Sequence, residues 1–230
     1  MYKIYIFIFL LLFNGCTAAT SKEVVIIESQ SIVAEEIETK VKPDDAPLDI
    51  WERIRVELTL TIPEDQVAAT SLYRERLYKN QSAVNRISKS GQRYLYHTLS
   101  RAEELGLPVE LALLPFVESE FDPYAKSVDG ATGIWQFMPA TGKEWGLKTN
   151  WWYDGKKDVL ASTEAALQFL TYLNEKFDGD WLLAMAAYNT GPTRVNRAIR
   201  KNKRQDKPTR FWDLDLPKET TAYVPKLLVL

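Results

Sequence analysis

Apolar positions recur at helical spacing along most of the chain beyond residue 48. Asp49 precedes Ile50, Trp51, Ile54 and Leu58, a pattern that predicts a helix capped by Asp49 and ended by Pro63. A second amphipathic stretch runs from Glu64 to Leu77, and a third carries Val84, Ile87, Tyr94, Leu95, Leu99 and Ala102 on one side. Further helices are predicted over Pro108 to Glu120, Asp158 to Phe177, Trp181 to Asn189 and Thr193 to Lys201. After Thr61 there is no run of alternating Val, Ile, Thr or aromatic residues bounded by turn dipeptides, so the fold class is all-α. Residues 48–100 are expected to form packed N-terminal helices and 101–230 the main domain, without internal repeats.

The first residues follow a different pattern. Lys3 precedes an unbroken apolar run from Ile4 to Phe13, long enough for the core of an export signal and short of the roughly 20 residues that span a bilayer. Residues 1–15 therefore read as a signal peptide. Cys16, the only cysteine, stands directly behind Gly15, an arrangement that resembles a bacterial lipoprotein processing site with Cys16 as the lipidated residue. Phe13 occupies a position where that pattern prefers Leu. Thr17 after the cysteine implies, by the same resemblance, the periplasmic face of the outer membrane. From Thr17 to Pro47 there are no aromatic residues but many acidic ones, so 16–47 is expected to be a flexible acidic tether behind a membrane-anchoring lipid.

Composition narrows the chemistry. With 230 residues, 46% of them hydrophobic, the chain can bury one sizeable core. A formal charge of −2 offers no basic excess to collect phosphates, so no nucleic-acid partner is expected. One cysteine and one histidine permit neither an internal disulfide nor a Cys/His metal cluster, so no metal and no cofactor is expected. His97 reads as a packing residue. Any bond-breaking chemistry must run on carboxylates, hydroxyls and amides.

One carboxylate stands out. The segment Leu111 to Val117 is apolar nearly all round and should be buried, and Glu118 lies in it with Leu111, Leu114 and Phe121 on its own helical stripe. Glu120, roughly 200° further round, can face water. Burial disfavours the charged carboxylate and raises its pKa, the condition a general acid needs near neutral pH. A structural ion pair is the competing explanation for such a carboxylate. The surrounding residues favour a site. Ser119 follows, Asp122-Pro123 ends the helix, and a loop with Ser127, Gly130 and Gly133 leads into Gly133-Ile134-Trp135-Gln136. Glycines let backbone approach a ligand closely, and the Gln136 amide can donate to and accept from a sugar or acetamido group. Farther on, Gly191 is a natural left-handed cap that leaves Tyr188 and Asn189 at a helix end, facing a cleft.

Together Glu118-Ser119, Gly133-Ile134-Trp135-Gln136, Ala187-Tyr188-Asn189 and Glu219-Thr220-Thr221-Ala222-Tyr223-Val224 resemble, in order, the signatures of the soluble-lytic-transglycosylase family. Trp135 replaces the Met of many members, and with Val117 and Phe211-Trp212 it points to a membrane-bound subgroup. The resemblance covers about Asp49 to the C-terminus. It implies a lysozyme-like (goose-type) helical catalytic domain acting on peptidoglycan glycan strands, with cleavage of the β-1,4 bond between N-acetylmuramic acid and N-acetylglucosamine and formation of 1,6-anhydromuramoyl ends. Glu118 is implied as the catalytic acid and base, with Tyr188 orienting it. Ser127, Gln136, Asn189 and Tyr223 would position the sugar, and Glu219 would contribute charge near the cleft. Alternatives with the same motifs are a goose-type hydrolase and a catalytically inert wall-binding lipoprotein.

The remaining aromatic residues are less telling. Trp135 and Phe137 suit either core or sugar stacking, whereas Trp145, Trp151, Trp152, Trp181 and Trp212 are expected in the core. The Arg- and Lys-rich run Arg194 to Lys207 reads as a solvated helix face. The chain ends within an apolar segment, Tyr223 to Leu230, where relatives often continue into LysM repeats; truncation of the catalytic domain is one expectation from this. A monomer is expected.

Overall fold

The computed structural model describes residues 49–230; the expected signal peptide, Cys16 and the expected acidic tether lie outside the described residues. Ten α-helices and three short 3₁₀ turns make up the described part, with only isolated β-bridges between them. The all-α class holds. No described helix is long and apolar enough to cross a membrane.

Helix α1 (Ile50–Glu57) starts as expected, with Asp49 Oδ1 accepting from the N–H groups of Trp51 at 2.8 Å and Glu52 at 3.1 Å. It ends six residues before Pro63. The cause is tertiary: the buried carboxylate of Glu110 accepts from the Thr59 and Leu60 N–H groups, each at 2.6 Å, and so holds the chain extended. β-Branched Thr61 and Ile62, the latter restricted by the following proline, suit that extended path. Helix α2 (Val67–Lys79) is more solvated than its pattern implies, with Thr70 its one buried residue.

The third expected helix is two: α3 (Gln81–Gly91) and α4 (Leu95–Glu104). Gly91 lies under the Phe116 ring, where a Cβ would stand 2.6 Å from the ring's Cζ. Close packing there needs glycine, a weak helix former, and the helix stops at it.

The predicted helix from Pro108 to Glu120 is also divided. Val109–Leu113 forms a 3₁₀ turn and α5 spans Leu114–Glu118. Pro115 explains the break, since it donates no N–H and its ring clashes with the carbonyl four residues back, so α-helical bonding cannot run through it. It is tolerated in the first turn of α5.

Two further helices, α6 (Pro139–Glu144) and α7 (Val159–Lys176), follow the glycine loop, and α7 is capped by Asp158, whose Oδ1 accepts from Ala161 N–H at 3.0 Å. Helix α8 (Trp181–Thr190) is capped by Asp180 and buries Leu183 to Ala187. Its small residues, Ala184, Ala186 and Ala187, are fully buried and let α7, α9 (Pro192–Lys203) and α10 (Lys218–Leu228) pack closely around it. Gly191 adopts φ 86° and ψ 140°, a positive φ but extended rather than left-handed helical, and joins α8 directly to α9. Neither α6 nor α10 is evident from periodicity: α6 has six residues, and α10 carries Pro225 inside it.

Candidate active site

Glu118 is the last residue of α5. The chain then reverses through two non-glycine residues in the left-handed region, Glu120 at φ 52° and Phe121 at φ 60°. Such a conformation costs about 1 kcal/mol or more per residue and persists only where the surroundings enforce it. Here both side chains are fixed. The Glu120 carboxylate accepts from Arg86 Nε at 2.6 Å and Nη2 at 3.0 Å, while Phe121 is buried edge-on against Phe116 at 4.6 Å between ring centroids. Phe121 thus joins the apolar surroundings through a left-handed turn and not by helical register. Ser119 Oγ donates to the Ile134 carbonyl at 2.9 Å, tying the end of α5 to the glycine loop.

That loop is shaped by Gly133. Its φ is 84°, and a Cβ there would lie 1.8 Å from the Lys156 carbonyl oxygen, so no other residue fits. Lys156 itself is buried and paired with Asp154 at 2.6 Å. Trp135 is core: it is fully buried, and its Nε1–H donates to Thr163 Oγ1 at 3.0 Å. Phe137 is buried as well. Gln136, at φ 47°, donates through Nε2 to the Gly133 carbonyl at 2.8 Å, leaving its amide oxygen as the group it can offer outward.

The orienting bond to Glu118 comes from a different tyrosine than the sequence suggested. Tyr223, buried on α10, donates to Glu118 Oε1 at 2.5 Å, whereas Tyr188 donates to the Trp135 carbonyl at 2.8 Å. Burial, with the Glu118 charge added to it, holds the Tyr188 phenol well above the usual range; Tyr223 is raised for the same reasons. Both phenols therefore remain donors throughout the neutral range. Asn189 Oδ1 accepts from Thr220 Oγ1 at 2.8 Å, a link between α8 and α10. With Gln136, Met138, Thr141 and Tyr188, Asn189 lines a cavity of about 310 Å³ beside the Glu118 network.

The electrostatics separate the two neighbouring glutamates. Burial pushes the Glu118 carboxyl up to about 7; the Tyr223 hydrogen bond opposes this and the negative charge of Glu219 adds to it. Glu120 moves the other way, held below its ordinary value by the hydrogen bonds and charge of Arg86. Two carboxylates two residues apart thus suit different tasks.

Glu118 is tied to Tyr223 by a hydrogen bond and to Tyr188 and Glu219 by charge, and Gln136, Tyr188 and Asn189 line one cavity; Glu219 is exposed in the first turn of α10 and acts through its charge. Ser127 does not join them by any bond. It is exposed and closes its own turn, its Oγ accepting from the Ala131 N–H at 3.0 Å. Thr220, whose hydroxyl holds Asn189, is a residue the motifs did not single out, although its position three residues before Tyr223 places both on one helical face. Trp151 and Trp152, expected in the core, are 91% and 76% exposed.

The model of the Transglycosylase SLT domain matches residues 88–211. The chain belongs to this family. Membrane-bound lytic murein transglycosylase D of Escherichia coli (strain K12) is 44% identical over 192 residues, 84% of this chain and 41% of that protein. Peptidoglycan transglycosylase gp16 of Escherichia phage T7 is 42% identical over 89 residues, 37% of this chain and 6% of that protein. An inactive mutant of a lytic transglycosylase from Pseudomonas aeruginosa, solved by X-ray crystallography, overlays with a TM-score of 0.48 and 24% identity, covering 78% of this chain and 30% of that one. The chain spans about two fifths of the length of its Escherichia coli relative. Within the SLT match lie Glu118, Ser127, Gln136, Tyr188 and Asn189, whereas Glu219 and Tyr223 fall beyond it. The bond from Tyr223 to Glu118 ties α10 to the SLT segment: it supplies a donor to the half-buried candidate acid.

Proposed function

We propose that this chain is a lytic transglycosylase that cleaves the β-1,4 bond between N-acetylmuramic acid and N-acetylglucosamine in peptidoglycan and leaves 1,6-anhydromuramoyl ends. The observation that carries the reading is the state of Glu118: a carboxyl group lifted to about 7 by burial, with one oxygen held by Tyr223. Because the phenol donates to Oε1, the acid's own proton resides on Oε2 and is available to a substrate. Glu118 gives that proton to the glycosidic oxygen as the C1–O bond breaks. The carboxylate then takes the proton of the muramoyl 6-hydroxyl while that oxygen bonds to C1, which restores the acid without consuming water.

Ordinary glycosidases need a second carboxyl group about 5 to 9 Å away to act as nucleophile or base. Glu120 is committed to Arg86, and Glu219 is exposed on another helix, which supports a one-carboxylate route assisted by the substrate's acetamido group. Glu219 keeps the Glu118 proton in place through its charge. Gln136 and Asn189 position the sugar from the cavity wall, Tyr188 holds the Trp135 carbonyl that shapes that wall, and Ser127 meets the strand at the exposed loop tip. The family of the chain and the activity for which its relatives are named agree with this reading.

With the apolar run before Cys16, the function fits a monomeric lipoprotein anchored to the periplasmic face of the outer membrane. The test is mass spectrometry of the products released from purified cell wall. Anhydro-muropeptides are expected; reducing ends alone would assign the chain to hydrolysis, and no products from wild type and Glu118→Gln alike would make it an inert wall-binding protein.

A further inference from the structure

The segment between α6 and α7 carries two large apolar side chains where water should be. Trp151 and Trp152 are 91% and 76% exposed and stack on each other at 5.5 Å between centroids, with 12° between their planes. Exposed aromatic clusters of this size mark binding surfaces more often than incidental exposure.

The pair is held firmly. Asn150 Oδ1 accepts from the N–H groups of Trp152 at 3.1 Å and Tyr153 at 2.9 Å, and Asn150 N–H donates to the Tyr153 carbonyl at 2.8 Å. A β-bridge between Thr149 and Asp154 closes the turn, and the ion pair of Asp154 with buried Lys156 anchors its base. The indoles are therefore presented at a preorganised tip, which limits the entropy lost when something binds.

Beside the tip lies a groove of about 840 Å³ lined by Pro139, Lys143, Lys148, Thr149, Asn150 and Lys156. Lys143 and Lys148 take part in no ion pair among the described residues. The groove and the cavity beside Gln136 both border α6. Met138 and Thr141 line the cavity shared with Gln136, while Pro139 and Lys143 of the same short helix line this groove.

We propose that Trp151, Trp152 and the lysine groove form a second binding site, separate from the Glu118 centre, for a peptidoglycan strand, with sugar rings on the indoles and stem-peptide carboxylates at Lys143 and Lys148. The site rests on the proposed function for the identity of the polymer. A pyranose offers C–H faces flanked by hydroxyls, which matches indoles beside the hydrogen-bonding groups of Thr149 and Asn150. An acyl chain would instead cover Lys143 and Lys148, which line the groove without a counter-charge among the described residues. The two cations complement the anionic stems.

The full chain carrying Glu118→Gln, which leaves the polymer intact, is titrated against purified insoluble sacculi by co-sedimentation. Adding W151A and W152A is expected to weaken binding on the order of tenfold or more, and W151Y with W152Y to retain most of it. Adding K143A and K148A should weaken binding to sacculi but not to glycan stripped of its peptides. With Glu118 intact, the Trp-to-Ala pair should cleave a short soluble tetrasaccharide at the wild-type rate and unfold at the wild-type temperature. Unchanged sacculus binding overturns the proposal. So does loss confined to phosphatidylethanolamine–phosphatidylglycerol vesicles, or a concentration-dependent dimer that disappears with the indoles. Trp-dependent binding by a chain that yields no cleavage products would retain the site and reject the proposed activity.

Discussion

Replacing Glu118 by Gln should stabilise the folded chain, and by an amount that grows with pH. The carboxyl has a folded value of about 7 against an ordinary 4.5, and at 1.36 kcal/mol for each step of one that gap corresponds to roughly 3 kcal/mol as an upper limit. Partial access of solvent to the half-buried residue reduces this to about 2 kcal/mol. Below pH 4.5 the group is protonated in both folded and unfolded chains and contributes nothing that depends on pH. Between 4.5 and about 7 the unfolded chain releases a proton that the folded chain retains, so stability falls; above about 7 both are ionised and the full cost is present. Glutamine has no such transition, and its amide oxygen can still accept the Tyr223 hydroxyl. Urea titrations of both proteins at pH 4.5, 6 and 8 should give an advantage for Gln that rises by about 2 kcal/mol across the series, with unchanged m values. An advantage that stays flat with pH, or a wild type that gains on the variant as pH rises, would refute the claim that burial dominates at Glu118.

Tyr223→Phe removes the hydrogen bond that pulls the Glu118 pKa down. Since the acid must be protonated to start the reaction, the alkaline limb of the pH–activity profile should move to higher pH, and a shift to lower pH would contradict the assignment. Gly133→Ala places a Cβ 1.8 Å from the Lys156 carbonyl at a positive φ, so the loop must distort; a loss of about 3 kcal/mol, or roughly 6 to 12 °C in Tm, is expected by thermal unfolding. Glu110→Ala leaves the Thr59 and Leu60 N–H groups without their acceptor, at a cost of about 2 to 4 kcal/mol. Hydrogen exchange at those two amides should accelerate well before exchange in α8 does.

Glu118 could be picked out as the candidate acid because burial patterning is local: Leu111 and Leu114 lie close to Glu118 within one short segment, and a carboxylate there has few uses. Capping was legible for the same reason at Asp49. Breaks were harder to see. Pro115 splits the Glu118 segment and the Phe116 ring stops α3 at Gly91, the latter a contact between residues 25 positions apart in sequence. The exchange of roles between Tyr188 and Tyr223 had no local signal, because hydroxyl direction depends on how α8 and α10 dock and on which carbonyl lies in reach. Trp151 and Trp152 misled for a related reason. An aromatic residue in an irregular segment has no periodicity to assign it a face, and its usual burial is only a tendency.

The titration of Glu118 itself is the most direct test. In protein labelled with ¹³C at the glutamate side-chain carboxyl, the resonance missing from Glu118→Gln identifies the residue, and its chemical shift can be followed from pH 3 to 9. A midpoint close to 7 is expected, well above that of solvent-exposed glutamates. A midpoint near 4.5 would mean that the carboxyl ionises like any surface acid, and the proposed proton donor would be absent at neutral pH.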